Sequence, residues 1–328
     1  MRQRISEMDR PNKNADTVGV LMYLAAALLF AFNASISKLA MAAGLDPVHL
    51  TEIRNAGAMV VLVVFVLLTN RSAFRVRRSE WVFLIAYGVI AFAIVLYLYL
   101  FTISRLPLGV GTLLAFLAPV VVALWVRFRQ QGPVPNRLWI AIALTLVGLA
   151  LVSQIWNGLQ LDTLGVIAGL VLALALATYW LLGETVQQHR DGVSLSMWGF
   201  IFSSVVWGVV APWWNFPWEV LGRVTQSPFG GFPALPVWAI VLWGVLLGTV
   251  APFLLVLGSL RRIGAGRAGI VATTEPLWAG LIAIFVLGET LTWVQALGGL
   301  VVVVGIVTAE SSRRTAVNDP EDFLPIPL

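Results

Sequence analysis

The chain has 328 residues, of which 59% are hydrophobic and only 11% are charged. Soluble domains average roughly 45–50% apolar and about 25% charged residues, so this composition excludes an ordinary soluble domain and predicts a membrane protein. The sequence contains no cysteine, which excludes disulfides and thiolate sites, and the net charge is +5. No cofactor or metal is predicted, because the two histidines, His49 and His189, are far apart in the sequence.

Ten apolar stretches are each close to the length of a membrane-spanning helix, which needs about 20 residues to cross about 30 Å of hydrocarbon. Backbone polar groups find no water partner in lipid, so each stretch is predicted to be helical. The stretches cover residues 18–42, 48–69, 79–103, 107–127, 137–153, 164–187, 195–214, 237–257, 266–287 and 291–309. The sequence therefore predicts an all-α membrane protein with ten transmembrane helices.

Two short tails flank these stretches. Residues 1–17 form an N-terminal tail, and residues 310–328 form a C-terminal tail that is predicted to be disordered because it ends in NDPEDFLPIPL. The first stretch is too long for a cleavable signal, and a repeat unit begins inside it.

The distribution of the 21 Lys and Arg residues predicts the orientation. The N-tail holds four, the loops after the second, fourth, sixth and eighth stretches hold four, three, one and three, and the C-tail holds two. Those seventeen fall on one side of the membrane, against two on the other. This bias places both termini in the cytoplasm of a multi-pass protein of the cell membrane. The basic charge therefore reflects topology and contact with the lipid bilayer, and no nucleic acid partner is predicted.

The two halves of the chain share residues at a constant spacing. Pairs 157 residues apart are Trp81 and Trp238, Arg105 and Arg262, Gly109 and Gly266, Ala115 and Ala272, Pro119 and Pro276, and Gly148 and Gly305. Earlier pairs are 146 apart, and the longer loop at 215–236 accounts for the difference. The repeats are residues 18–153 and 164–309. Five helices per repeat is an odd number, so the second repeat enters from the opposite side and the two are inverted.

The residues that carry these repeats also resemble a known family. The second copy contains TEPLWAGL, then LGE and Q-x-x-G-G, and the first contains AAALLFAFNASISKLA and LTEIRNAGA. From about residue 18 to 309 the chain resembles the EamA-type permeases of the drug/metabolite transporter superfamily. It departs at Gly132, which stands opposite Glu289 where the family often has a glutamate. The resemblance implies that helices 1–4 and 6–9 surround a central cavity and that small metabolites are exported or exchanged.

Glu275 is the most prominent candidate site residue. It lies about nine residues into the ninth stretch, near the membrane midplane, where an ionisable group costs roughly 2.5–3.5 kcal/mol. Pro276 cannot donate to the carbonyl four residues earlier, so a helix break is predicted near Ala272. The hydroxyl of Thr274 either satisfies this backbone or faces a ligand. A carboxylate beside a broken helix suits a coupling proton, a cation or a substrate; the alternative is a hydrogen bond to a neighbouring helix.

Two cations are placed within predicted helices. Arg54 has a planar fork that suits a carboxylate, so it is predicted either to contact the substrate or to form a structural ion pair. Glu52 lies on another face of the same helix and is a poor partner for it. Lys38 either extends to the interface or binds an anionic substrate group.

Further candidates are polar or aromatic. Asn33 is predicted to bond a substrate or the facing helix, and Tyr179, Trp180 and Trp278 are deep enough to line an aromatic pocket, with packing or lipid contact as the alternative. Glu289 is predicted to lie just outside the ninth helix. Thr292 and Gln295 are predicted to form a capping box. The G-x-x-x-G pairs at 165–169 and 244–248 predict close helix contacts.

These features favour a secondary transporter that works by alternating access around a midplane cavity, exporting or exchanging small metabolites such as amino acids. No nucleotide-binding P-loop is present, so an ion or substrate gradient drives transport. The alternatives are a membrane-embedded enzyme, which the shortage of histidine, cysteine and paired carboxylates disfavours, and a structural or channel-like membrane protein. The sequence does not predict the substrate, the coupling ion or the oligomeric state.

Overall fold

The computed structural model of the chain describes residues 13–118, 120–122, 124–125, 136–153, 161–187, 191–225, 233–272, 274–290 and 292–317. These residues are largely helical and contain no β-strand, apart from an isolated antiparallel bridge between Val224 and Pro236.

The helices are numbered along the chain. The first half contains α1 (Lys13–Ala42), α2 (Pro47–Thr69), α3 (Trp81–Tyr87, Gly88–Ile94 and Val95–Arg105 in succession), α4 (Leu108–Ala115) and α5 (Asn136–Ser153). The second half contains α6 (Thr163–Gln187), α7 (Gly192–Val210), α8 (Val237–Val245, Leu246–Val250 and Ala251–Ala272 in succession), α9 (Glu275–Leu287) and α10 (Trp293–Val317). Short 3₁₀ segments occupy Arg71–Phe74, Arg78–Glu80, Trp213–Asn215 and Trp218–Gly222.

Helix length and surface composition both identify a membrane protein. Within the described residues, five helical segments are long and apolar enough to cross a bilayer: Asp16–Ala42, Pro47–Thr69, Arg78–Arg105, Gly192–Val210 and Val237–Val256. Large apolar side chains face outward, among them Leu68 at 80% and Val209 at 75% exposure. A surface this apolar is suited to lipid. The prediction of an all-α membrane protein is confirmed.

Several helix boundaries differ from the predicted ones. α8 continues to Ala272 through residues that the sequence predicted as a loop, and α9 begins only at Glu275. Pro276 explains this, because proline fits the first turn of a new helix and clashes with a preceding turn. At the C-terminus, α10 extends to Val317, in keeping with the absence of glycine and proline between Gly305 and Pro320. The predicted disorder beyond that point lies outside the described residues.

The end of α9 is built from two predicted features. Gly288 adopts a left-handed conformation with φ 67°, and the N–H of Glu289 then donates to the carbonyl of Ala283. Glu289 therefore lies just outside the helix, as predicted. Thr292 and Gln295 exchange reciprocal bonds, Thr292 N to Gln295 Oε1 at 3.0 Å and Gln295 N to Thr292 Oγ1 at 3.3 Å, which confirms the capping box.

Helices from the two halves pack against each other. α1 lies against α8 and α9, while α6 lies against α3 and α4; α2 packs on α7, α4 on α9, and α5 on α10. One contact occurs in both halves at the repeat spacing. In one half, Gly19 abuts Arg262 and Ile263. Gly165, 146 residues after Gly19, abuts Arg105 and Leu106, which lie 157 residues before Arg262 and Ile263. The close contact predicted for Gly165 and Gly169 is confirmed, since Gly169 abuts Leu114.

A salt bridge accompanies the contact between Gly165 and Arg105. Arg105 Nη1 lies 3.1 Å from Asp162 Oδ2, and the other oxygen of Asp162 accepts the N–H of Gly165 at 2.7 Å. The Gly165 bond, followed by the Arg105 bond and charge, holds the pKa of this exposed carboxyl below its ordinary value. The sequence places Asp16 and Arg262 at the equivalent positions of the other repeat.

Both α3 and α8 contain a π-helical segment. These segments are Gly88–Ile94 and Leu246–Val250, and subtracting the repeat spacing of 157 places the second on residues 89–93, within the first. A π-helical turn widens the helix and is frequently found at functional sites. Ala91 and Phe92 of the first segment and Val250 of the second belong to one core cluster. That cluster also contains Leu62, Leu84 and Leu195. A second core cluster contains Leu39, Leu50 and Ile240.

Candidate functional site

Arg54 lies two turns into α2 and is only 6% exposed. Its Nη2 donates to Thr249 Oγ1 at 3.0 Å, and that hydroxyl donates to the carbonyl of Gly244 at 2.8 Å. The Nε–H has no acceptor, and no ion pair among the described residues involves this guanidinium. Glu52 does not pair with it, as the sequence predicted. A buried cation without a carboxylate is costly, so this position is suited to receive an anion.

Asn33 of α1 lies beside Arg54, and both face glycines of α8. A Cβ atom at Gly244 would lie 3.3 Å from Asn33 Oδ1 and 3.6 Å from Arg54 Nε, and one at Gly248 would overlap the asparagine side chain. The predicted close contact at 244–248 is therefore confirmed, and it brings α8 against two polar groups rather than an apolar ridge. Asn33 is 3% exposed and its Oδ1 has no donor.

Glu275 occupies the first turn of α9, at the predicted break. Its carboxylate interacts electrostatically with the hydroxyls of Tyr23 on α1 and Tyr99 on α3. Tyr99 also interacts electrostatically with Arg54. Tyr99 is therefore within electrostatic range of both the cation and the carboxylate, which do not form an ion pair with each other. The N-terminus of a helix favours a negative charge, so α9 helps to hold Glu275 ionised while its buried surroundings oppose it.

Two indole rings complete this cluster. Trp243 packs edge-on against Phe32 with ring centroids 5.3 Å apart. Trp243, Trp278 and Tyr99 all pack against the core cluster that contains Leu39, Leu50 and Ile240. Both indole N–H groups are buried without an acceptor. Buried polar atoms are nearly always bonded, so these two unpaired N–H donors, together with the unpaired Arg54 Nε, indicate a region suited to a ligand with acceptor atoms.

Tyr179 of α6 packs, as Tyr99 does, against the small core cluster of Val95, Ala115 and Leu172. It bonds to Tyr87, with ring centroids 5.5 Å apart, and interacts electrostatically with Tyr23. Phe92 of the π-helical segment packs on the same ring at 6.4 Å. The side chain of Trp180 lies outside the described residues.

Lys38 lies about one and a half turns beyond Asn33, at the end of α1. Its ammonium donates to the carbonyl of Leu106 at 2.7 Å and pairs with Glu289 Oε1 at 2.5 Å, while Glu289 Oε2 accepts the N–H of Leu108 at 2.7 Å. This network, called the Lys38 latch, joins α1, the α3–α4 turn and Glu289, two residues beyond the end of α9. Neither sequence alternative anticipated an internal acid as its partner.

A cleft of about 430 Å³ opens beside the Lys38 latch, between the ends of α1 and α3. Asp46 lies on its wall and caps α2, accepting the N–H groups of Val48 and His49 and contacting His49 Nδ1. Partial burial raises the pKa of Asp46, but the bonds and charge of His49 and the Val48 bond together outweigh it and lower that pKa overall.

Most of the predicted site residues meet in one place. Asn33, Arg54, Glu275 and Trp278 lie in or beside the central cluster, and Tyr179 borders it. Thr274 is used by the backbone, since its hydroxyl donates to the carbonyl of Val271 at 2.7 Å. The sequence analysis did not identify Tyr23, Tyr99, Trp243 and Thr249 as site residues. Each has a hydroxyl or an indole N–H within a long apolar helix, and this feature could have indicated them.

The chemistry of the cluster is that of recognition. It offers one guanidinium, one carboxylate, an amide oxygen and two indole donors, and no three His, Cys, Asp or Glu residues come together in the described residues to hold a metal ion. The model of the EamA-like transporter family matches residues 17–154 and 163–309. The chain belongs to this family. The predicted resemblance to EamA-type permeases is confirmed, and the chain is a membrane transporter by family.

Individual relatives agree with this assignment. An uncharacterized transporter of Archaeoglobus fulgidus is 31% identical over 64% of this chain and 70% of its own. The uncharacterized inner membrane transporter YicL of Salmonella typhimurium is 23% identical over 90% and 97%, and the threonine/homoserine exporter RhtA of the same species is 24% identical over 82% and 85%. A crystal structure with 17% identity, covering 91% of this chain and 99% of its own, superposes with a TM-score of 0.57 and shares the fold.

Proposed function

We propose that this protein is a secondary transporter that exports or exchanges small zwitterionic metabolites, amino acids among them. The observation that carries the proposal is Arg54, a buried guanidinium with an unbonded Nε–H and no carboxylate partner. A substrate carboxylate would supply that partner. Glu275, which like Arg54 interacts electrostatically with Tyr99, would receive the substrate ammonium. The threonine/homoserine exporter among the relatives supports a substrate of this class.

Counterflow in proteoliposomes tests the substrate class. Vesicles loaded with an unlabelled amino acid should take up the labelled one faster than empty vesicles. Two matched analogues probe the two charges: the amine that lacks the carboxylate and the hydroxy acid that lacks the ammonium should each exchange poorly. Equal exchange of the amine and the amino acid would contradict a role for Arg54 in binding a carboxylate.

The transport mechanism we infer is alternating access between two inverted five-helix repeats. The contacts shared by Gly19 and Gly165, and the π-helical segments at equivalent positions, support two related units that move against each other. Both termini would be cytoplasmic, and the Lys38 latch would close the outer side.

The topology is testable because the chain is free of cysteine. Single cysteines near Arg75, Arg129 and Arg190 should react with a membrane-impermeant maleimide only after the cells are opened, and a cysteine at Gly230 should react in intact cells. The positive-inside bias is the physical reason. Finding Gly230 on the same side as the N-terminus would contradict the inverted repeat.

The Lys38 latch gives a second test. An Asn33→Cys reporter in the central cluster should be labelled slowly from outside, and about fivefold faster when Lys38→Ala or Glu289→Gln is added, because a partly buried ion pair contributes about 1 kcal/mol. Exchanging the charges, Lys38→Glu with Glu289→Lys, should restore part of the protection. Unchanged labelling in both single variants would remove the latch from the outer closure.

A further inference from the structure

A second group of buried polar atoms belongs to α2, on either side of Arg54 in the sequence, and to α7. Glu52 is 1% exposed, and both of its carboxylate oxygens lack a hydrogen-bond donor. Asn55, on the next turn of α2, is fully buried and its Oδ1 also has no donor. On α7, the fully buried Ser203 Oγ and the Trp207 Nε1 are unpartnered as well.

The register of the two helices brings these atoms to the same level. At one end, Ser194 Oγ and Trp198 Nε1 of α7 donate to the carbonyl of Ala73, just beyond α2. At the other end, Val48 of α2 packs against the cluster that contains Trp207. The helices are therefore antiparallel. α3 relates their levels, because the carbonyl of Phe92 accepts from Asn55, the ring of Phe92 packs on Phe200, and Tyr97, further along α3, packs on Trp207. Ser203 therefore lies near the level of Asn55, and Glu52, about one turn from Asn55, lies toward the level of Trp207.

The unpartnered atoms of Glu52, Asn55 and Ser203 that could bind an ion are all oxygen atoms. Asn55 Nδ2 lies 3.5 Å from the carbonyl of Phe92, which orients Oδ1 away from that carbonyl. Phe92 belongs to the π-helical segment of α3, where the backbone pairing departs from the α-helical pattern. A carboxylate, an amide oxygen and a hydroxyl suit a hard cation, and carbonyls of irregular helices complete such sites in transporters.

The charge around Glu52 favours a monovalent ion. His49 and Asp46 are the charged groups with which it interacts, and they pair with each other. Tyr97 of α3 packs on Trp207, and α7 contains no charged residue between Gly192 and Val210. One carboxylate is neutralised by one positive charge, whereas a divalent ion would leave an uncompensated charge in a buried place.

We propose that Glu52, Asn55 and Ser203 form a sodium-binding site between α2 and α7, separate from the substrate cluster around Arg54. Glu52 supplies the charge, Asn55 Oδ1 and Ser203 Oγ supply neutral ligands, and the Trp207 N–H steadies the carboxylate. The site joins a helix of each half, so its occupancy would favour one arrangement of α2 and α7. Its coupling to transport rests on the proposed function, but its binding of sodium does not.

Thermal unfolding of the whole protein in detergent tests the binding. At pH 8 and constant ionic strength, replacing choline chloride by sodium chloride should raise the Tm by about 2–4 °C, since an ion that binds only the folded state stabilises it. Glu52→Gln should abolish this rise, and Ser203→Ala should raise the sodium concentration for half the effect about tenfold. Two matched controls should respond like the wild type: Glu219→Gln, an exposed carboxylate, and Ser204→Ala, whose hydroxyl bonds to Phe200 O.

The outcomes separate the possibilities. A sodium response in Glu52→Gln equal to that of the wild type overturns the proposal. So does a Tm that depends on pH through Glu52 but is indifferent to sodium, which would assign the carboxylate to a proton instead. If Glu52→Gln does not fold, the comparison of Ser203→Ala with Ser204→Ala decides alone. Loss of counterflow with an intact sodium response would refute the transport proposal and leave this site standing.

Discussion

Arg54→Lys is expected to raise the substrate concentration for half-maximal transport about 10- to 100-fold while leaving the protein level near that of the wild type. A charge-assisted bond to a buried carboxylate contributes about 1.5–3 kcal/mol, and lysine keeps the charge but loses the fork. Arg54 uses one N–H of Nη2 for Thr249 and has Nε free, so the guanidinium holds the helix and still has a donor available to the substrate. Initial rates of counterflow over a range of substrate concentrations measure the effect.

Thr249→Val is the matched control for this experiment. It removes the protein partner of Arg54 and the hydroxyl that donates to the carbonyl of Gly244, but it keeps the shape of the side chain. We expect it to lower thermal stability more than it alters the apparent affinity, the reverse of Arg54→Lys. Normal transport by Arg54→Ala at an unchanged protein level would show that the guanidinium only joins α2 to α8.

Much of the fold could be predicted because the bilayer restricts the choice. Apolar length, the absence of water partners for the backbone and the repeated glycines and prolines located the helices within a few residues. The error at α8 and α9 has a local cause. The predicted stretches left residues 258–265 as a loop, whereas the helix continues through their glycines and the break lies at Thr274 next to Pro276. Glycine only weakens a helix, and proline removes a donor and clashes.

The candidate site could be predicted in part for a similar reason. A charged group inside an apolar helix is conspicuous, so Arg54 and Glu275 could be singled out from the sequence. Their surroundings could not, because Tyr99, Trp243 and Thr249 are ordinary residues until packing places them against the charges. The bond between Lys38 and Glu289 spans 251 positions and requires the fold itself.

The largest effect is expected at Glu275. Glu275→Gln should abolish transport driven by a proton gradient while leaving substrate exchange largely intact. Glutamine resembles the protonated acid in shape and charge, so a carrier that needs to gain and lose a proton at this position stays in one state. The position of Glu275 permits both forms: the start of α9 favours the charged carboxylate, and the buried surroundings beside Tyr23 and Tyr99 favour the neutral one.

The two halves of this prediction are measured in the same vesicles. Accumulation is followed under an imposed pH gradient, and counterflow is followed without one, for the wild type, Glu275→Gln and Glu289→Gln. Glu289→Gln also removes a partly buried carboxylate, the one that pairs with Lys38 in the Lys38 latch. It therefore controls for the loss of a carboxylate elsewhere in the second half of the chain. It should keep gradient-driven accumulation at a reduced rate. A Glu275→Gln protein that still accumulates substrate with the pH dependence of the wild type would exclude Glu275 as the proton carrier. Equal loss of both activities and of folding yield would make it a structural residue that joins α9 to α1 and α3.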